Sequence, residues 1–327
     1  MEALTCLTED EKMFQEEIRK FARSQITPHV EKMDETEAME PSLMKSFFEM
    51  GLMGISIPEQ YGGAGGSFFM SIIAIEELAK VDPSASVFVD VQNTLVNNTF
   101  ENWASTKQQS QYFPRLSQKD VGAFCLTEPD SGSDAFALQT RATDHGDHWL
   151  ISGKKVFITN ANEASIFVVF ANAFPERGYK GISAFVVEKD MKGFSIGKKE
   201  QKLGIRASST CEVLLDQVKI PKENLIGKLG KGYKIAIETL NEGRIGIAAQ
   251  MLGLAQGAFA GAFRYANERQ QFGKSINRFQ SIQFNLAELA TQIEAAKLMV
   301  YNAARRKDSN LNFTKEAAMA KYFSSKI

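Results

Sequence analysis

Apolar residues recur at helical spacing from the start of the chain: Phe14, Ile18, Phe21, Ala22 and Ile26 share one face, with Thr8 and Glu11 ahead of them as a capping box. The pattern predicts an amphipathic helix that buries one stripe. A second helical segment, 42–50, follows Pro41 and stops at Gly51, and a third, 71–81, stops before Pro83. Near Val121 the apolar period drops to that of strands, and the runs 148–152, 154–159, 165–170 and 182–187 are rich in Val, Ile and Phe. A hairpin turn is expected at His145, Gly146 and Asp147, and the strand pattern closes near Pro221. From Tyr233 the helical period returns over 233–267 and 279–307, and a third helix begins near Thr314. Three helices ordinarily need a fourth, and the stripe of Ala317, Ala320 and Phe323 has no evident partner in the pattern. The expectation is an α+β chain: an N-terminal helical domain over 1–120, a middle antiparallel β domain over 121–222, and a C-terminal helical bundle over 223–327 that is cut short at Ile327.

Composition narrows the chemistry. With 327 residues and 44% hydrophobic content the chain can bury a large core without staples. Its formal net charge of -1, with acids and bases interspersed, offers no basic face for nucleic acid. The basic run Arg305, Arg306 and Lys307 reads as a solvated helix end. Cys6, Cys125 and Cys211 lack CxxC spacing, which argues against a zinc site or a disulfide framework. No uninterrupted apolar run approaches the roughly 18 residues of a membrane span, so none is expected, and the acidic stretch Glu2–Glu11 is unlike a targeting peptide.

Several short stretches can carry chemistry. In LTEPDSGSD, Leu126–Asp134, a strand runs into a turn dense in hydroxyls and backbone donors, which can hold a polar heterocycle or a phosphate and, taken alone, also fits an exposed loop. FITN, Phe157–Asn160, places an aromatic ring, a hydroxyl and an amide in succession at a strand end, suited to lining a flat ring. In ERQQFGKSINRFQ, Glu268–Gln280, the triplet Gly273, Lys274 and Ser275 mimics the end of a phosphate-binding loop. However, Glu268 stands where the first glycine belongs and a helix precedes it, so that reading fails. Arg269 remains a candidate phosphate contact. PEQYGGAGG, Pro58–Gly66, has no GxGxxG register. His145 and His148 lack further ligands for a metal, His29 is isolated, and no GxSxG elbow is present.

Together, PEQYGGAGG, LTEPDSGSD, FITN, NEGR at Asn241–Arg244 and RQQFGKSINRFQ resemble the acyl-CoA dehydrogenase family in order and spacing across nearly the whole chain. The resemblance implies FAD bound between the β domain and the bundle of a homotetramer, and oxidation of short and 2-methyl-branched acyl-CoA, such as 2-methylbutanoyl-CoA, in the mitochondrial matrix. Electrons would pass to electron-transfer flavoprotein. By position, Phe124, Leu126, Thr127, Gly132, Ser133, Phe157, Ile158 and Thr159 would lie along the flavin, while Arg269 and Gln280 would reach the FAD of a neighbouring subunit. Ser133 would also touch the coenzyme A arm, and Tyr179, Tyr233, Asn241, Glu242, Gly243 and Arg244 would line the substrate side. Many relatives carry Trp at the position of Phe157.

The family reaction removes the α-proton of the thioester with a glutamate while the β-hydrogen leaves as hydride to the flavin, giving a trans-2-enoyl-CoA. In most members that glutamate lies in a Tyr-Glu-Gly-Thr segment beyond the third bundle helix, which this sequence lacks. In another branch it directly precedes the arginine matching Arg244, where this chain has Gly243. Glu242 is one residue off, about 100° around a helix. No catalytic base is therefore assigned, and impaired activity is expected. A non-catalytic binding or assembly form and an acyl-CoA oxidase are the competing readings.

Overall fold

Thr8 Oγ1 accepts from the Glu11 N–H at 3.2 Å while the Glu11 carboxylate accepts from the Thr8 N–H at 2.9 Å, so the expected capping box starts the first helix. The computed structural model describes residues 4–327. Helix α1 (Glu9–Phe21) runs into a π-helical turn at Ala22–Ile26, followed by α2 (Val30–Thr36) and α3 (Pro41–Glu49). Gly51, at φ +69°, ends this run in the left-handed region that glycine enters without a steric penalty. Then come α4 (Phe68–Ala79), α5 (Pro83–Asp90), a π-helical stretch at Val91–Asn97, α6 (Asn98–Trp103) and α7 (Thr106–Gln118). Helix α4 begins earlier than the periodicity suggests because the Ser67 hydroxyl accepts from the Met70 N–H and caps it.

The strands follow: β1 (Gly122–Cys125), β2 (Arg141–Asp144), β3 (His148–Thr159), β4 (Ile166–Asn172), β5 (Ile182–Glu188), β6 (Phe194–Lys199), β7 (Thr210–Pro221) and β8 (Leu225–Ile226). They form one sheet in the order β6-β7-β3-β2-β4-β5-β8, with β1 added beside β4. Pairing is antiparallel except where β1 and β2 run parallel to β4. The central strand β4 is buried along its whole length, which is why its sequence reads as a continuous apolar run. The two runs 148–152 and 154–159 are one strand, β3, interrupted by register shifts and not by a turn. The turn at His145–Asp147 joins β2 to β3, with the His145 N–H donating to the His148 carbonyl.

The last helices are α8 (Gly232–Glu268), α9 (Gln280–Asp308) and α10 (Thr314–Ser324). Between α8 and α9 a short ribbon, β9 (Gln270–Gln271) and β10 (Lys274–Ser275), turns through Phe272 and Gly273, both at positive φ. The chain divides into two compact units. One holds the residues up to Glu31 with Ser67–Val87 and Arg244–Ile327; the other holds Lys32–Gly66 and Phe88–Gly243.

In the first unit the fourth bundle helix is α4. Phe69, Ile72, Ile73 and Ile75 of α4, Ile245, Ala248, Ala249 and Leu252 of α8, and Ala296, Val300 and Tyr301 of α9 make one buried cluster. Ala317 and Ala320 of α10 are fully buried in it and Phe323 packs against it. The stripe expected to lack a partner is therefore covered within the chain, chiefly by α9, in the same buried cluster that α4 completes. Close approach sets the spacing: a Cβ on Gly253 or Gly257 would fall 2.2 Å from the carbonyl oxygen of Glu76 or Lys80, so only glycine admits the α4 backbone there. Asp308, at the end of α9, accepts from the N–H groups of Phe68 and Phe69, capping α4 from the far end of the sequence. Helix α8 is long and apolar enough to cross a membrane by length and composition, a feature the search for an uninterrupted apolar run passes over. Its Ile245, Ala248, Ala249 and Leu252 are committed to this protein core.

Phe69 anchors the cluster: it meets Tyr301 edge-on at 4.8 Å and carries the Arg305 guanidinium over its face at 3.6 Å, while Arg305 also donates to Glu11 at 2.5 and 2.7 Å. Phe69→Ala should cost about 3–5 kcal/mol through the cavity it leaves, read as a lowered urea midpoint of the helical circular dichroism signal.

Candidate functional site

A strand that alternates strictly cannot bury Trp149 and Ile151 and later bury Val156 and Ile158 on the same face, since the parity changes between them. β3 and β7 shift register twice, with the extra residue on β7 between Ile151 and Gly153 and on β3 between Lys155 and Ile158, and the second shift changes the parity of β3. At the second shift Phe157 takes φ +58°, a conformation that costs a non-glycine residue about 1 kcal/mol or more. Its ring is 62% exposed, turned away from the core that holds its neighbours. Asn160, also at positive φ, ends the segment, with its N–H bonded to the Ser209 carbonyl and its side-chain amide to the Phe88 carbonyl.

The ring of Phe157 borders a cavity of about 270 Å³. Phe124, Leu126 and Thr127 at the end of β1, Gly132 and Ala135 in the following loop, and Phe157, Ile158 and Thr159 of β3 form most of its wall. The remainder is Val91 and Leu95 of the π-helical stretch and Leu240 of α8. Two separate sequence motifs are thus brought to one place. Its walls are apolar and aromatic, and the hydroxyls of Thr127 and Thr159 have no hydrogen-bond partner among the described residues. A flat heterocycle with polar edges matches that combination.

Beneath the wall lies a salt bridge sealed from water. Lys155 Nζ donates to a Glu128 carboxylate oxygen at 2.6 Å and to the Leu126 carbonyl at 3.1 Å, and both charged side chains are almost wholly buried. Glu128 also accepts from the N–H groups of Gln139 at 2.6 Å and Thr140 at 3.1 Å. Burial alone would push the Glu128 carboxyl up, yet Lys155 and these donors outweigh it and hold it below its usual range. Burial pulls the Lys155 ammonium down, opposed by Glu128.

The other expected site residues are placed as follows. Ser133 lies in the same loop as Gly132, exposed and outside the cavity wall. Tyr179, in the short 3-10 segment before β5, and Tyr233, in the first turn of α8, meet edge to face at 5.1 Å. Asn241 and Glu242 are buried on α8 in the turn after Leu240. A Cβ on Gly243 would come within 2.6 Å of Leu95 Cδ2, so the π-helical stretch presses directly on that position. Arg244, Arg269 and Gln280 belong to the other compact unit, with Arg269 and Gln280 exposed at the two ends of the ribbon connection.

Sequence reasoning missed Val91, Leu95, Ala135 and Leu240. The one available signal was Val91 and Leu95, four residues apart in an otherwise polar run. It also passed over Asp90, one residue before the wall and fully buried, which accepts from the Thr94 hydroxyl at 2.7 Å.

Models of the N-terminal, middle and C-terminal domains of acyl-CoA dehydrogenases match residues 8–120, 123–218 and 230–327. The chain belongs to the acyl-CoA dehydrogenase family. It is 54% identical to the probable short/branched chain specific acyl-CoA dehydrogenase of Dictyostelium discoideum, over 100% of this chain and 79% of that protein. It is 49% identical to the mitochondrial short/branched chain specific acyl-CoA dehydrogenase of Rattus norvegicus, over 99% of this chain and 75% of that protein. The solved butyryl-CoA dehydrogenase of Megasphaera elsdenii superposes with a TM-score of 0.97 at 39% identity, covering 100% of this chain and 86% of that one. The acyl-CoA dehydrogenase fold of helical, β and helical domains is the one described above, and the family consists of flavin-dependent oxidoreductases whose cofactor is FAD.

Two measurements test this site. Phe157→Ala should weaken FAD binding by about 1 kcal/mol, roughly five- to tenfold, and Phe157→Trp should restore it, followed by quenching of flavin fluorescence on titration. Burial pushes the Asp90 carboxyl up to about 7, against the hydrogen bond from Thr94. Its folded form therefore keeps a proton that the unfolded chain releases near pH 4, so Asp90 makes stability fall as pH rises from about 4 to about 7. Asp90→Asn should flatten that decline in denaturation midpoints measured across the interval.

Proposed function

We propose that this acyl-CoA dehydrogenase acts on short and 2-methyl-branched acyl-CoA thioesters, with 2-methylbutanoyl-CoA as the test substrate, and passes electrons to electron-transfer flavoprotein. The observation that carries the reading is the cavity at the β3 register shift, where the two motifs expected to face a flavin form a single wall. FAD, when bound, supplies the hydride acceptor. The chain's own groups do the rest: Phe157 offers a ring face, Thr127 and Thr159 offer hydroxyls to the polar edge of the flavin, and Phe124, Leu126 and Ile158 keep water from its rim. Gly132 and Ser133 supply backbone and hydroxyl donors beside it, and Ser133 also meets the coenzyme A arm. Tyr179 and Tyr233, held edge to face, border the substrate side with Asn241, Glu242, Gly243 and Arg244. Arg269 and Gln280 serve the FAD of a neighbouring subunit in a homotetramer, consistent with their exposure.

The substrate class follows the short/branched chain relatives, and a mitochondrial location in isoleucine breakdown follows the mammalian ones. The three-domain division at 120/121 and 222/223 is part of the same reading. A base is the one component to which no residue here is assigned. A side chain at Gly243 would have to displace Leu95, and Glu242 sits about 100° away around α8.

The purified chain loaded with FAD, mixed anaerobically with 2-methylbutanoyl-CoA, should bind the thioester and perturb the flavin spectrum while bleaching it slowly or not at all. Rapid bleaching would show that a base is present among these residues, with Glu242→Gln the variant to locate it. No spectral change with any acyl-CoA would overturn the substrate reading.

A further inference from the structure

We propose that Glu128 and Lys155 form a buried positioning pair that fixes the relative placement of the three segments facing the flavin, without touching the flavin themselves. The proposal rests on FAD as the occupant of the cavity at β3. Neither residue contributes to the cavity wall, and neither side chain is more than a few per cent exposed. Yet the three segments that form most of the wall are tied to them. Lys155 holds the Leu126 carbonyl, at the end of β1, and stands two residues before Phe157, so one ammonium spans the β1 end and the register shift. Glu128 opens the loop that carries Gly132 and Ala135, and its carboxylate accepts from the N–H groups of Gln139 and Thr140, where that loop returns to the sheet. The loop is thereby closed at both ends on one side chain. A backbone bond from the Val156 N–H to the Thr127 carbonyl at 3.0 Å runs alongside.

The physics favours positioning over stability as the reason for a charged pair here. A buried ion pair gives up the hydration of both partners, so a neutral pair of similar volume often serves stability as well. What the neutral pair lacks is directional reach, since the carboxylate satisfies two backbone donors and an ammonium at once. Its absence should let the loop and the Phe157 segment drift against each other, and small displacements of binding groups are costly.

The test uses the double variant Glu128→Gln/Lys155→Met in the full chain, because either single change strands a buried charge and risks the fold. Three readouts are taken: thermal unfolding of the flavin-free protein, the FAD dissociation constant with the visible circular dichroism of the bound flavin, and amide exchange of the flavin-free protein. The expected result is unfolding close to that of the unaltered chain, a dissociation constant raised about ten- to a hundredfold, an altered flavin dichroism, and faster exchange at Gln139 and Thr140. Wild-type affinity with unchanged dichroism would overturn the proposal, as would flavin loss that merely accompanies loss of the fold. If the unaltered chain took up no FAD, the cofactor reading and the flavin half of the proposal would both fall. Exchange at Gln139 and Thr140 would then decide the loop-closing half, which unchanged protection would overturn.

Discussion

A β-strand buries alternate residues, so a strand that holds Trp149 and Ile151 in the core near one end and Val156 and Ile158 near the other must change parity in between, and only after that change does residue 157 face outward. In β3 that change falls between Lys155 and Ile158, and Phe157 bears the backbone strain that goes with it. The surroundings hold it there: Val156 and Ile158 are buried on either side, and β7 pairs with the strand before and after the shift. Relaxing Phe157 to an ordinary extended conformation would return its ring to the core side and expel its neighbours. The cavity, the ring that faces it and the hydroxyl of Thr159 all depend on this one irregularity.

The bundle depends on a different constraint, the filling of a helix face from far away in the sequence. Helix α4 is apolar nearly all round and buried along most of its length, so it can be stable only when surrounded. Two glycines of α8 let its backbone approach, Asp308 caps its first N–H groups, and Arg305 covers Phe69 while pairing with Glu11 of α1. Arg305 and Glu11 meet at the edge of this arrangement, whereas Glu76 and Glu77 of α4 are fully buried, with Glu77 paired to Arg19 and Lys80.

Much of the fold could be read from local pattern because its signals are local. The Thr8–Glu11 capping box, the stop at Gly51, the hairpin at Gly146 and the change of period near Val121 each belong to a few consecutive residues, and each lies where the pattern put it. What was not legible is what depends on contacts between distant segments. The joining of α4 to α8, α9 and α10 in one core requires knowing which helices meet. The shift between Ile151 and Gly153 looks in sequence like the boundary between two strands, and the one between Lys155 and Ile158 leaves no mark inside the run 154–159. Of the candidate site, the motif residues Phe124, Leu126, Thr127, Gly132, Phe157, Ile158 and Thr159 do gather around one cavity. Val91, Leu95, Ala135 and Leu240 carry no motif, because an apolar wall asks only for size and shape. Lys155 was read as one more strand residue, since nothing in the pair Lys154–Lys155 says which of the two points inward.

The capping of α4 by Asp308 also bears on how the chain is made. Synthesis delivers α4 long before α8, α9 and α10 exist, and at about 5–20 residues per second the wait is on the order of ten seconds or more. Throughout that interval Phe69, Ile72, Ile73 and Ile75 lack their partners from α8, α9 and α10, and only α1 is available to pack against α4. The nascent polypeptide must therefore carry an apolar helix covered only in part, with the Phe68 and Phe69 amides still uncapped, until α9 leaves the ribosome. A cell producing this protein would need to shield that helix during translation, a demand set by the order in which the pieces emerge and invisible in the finished structure.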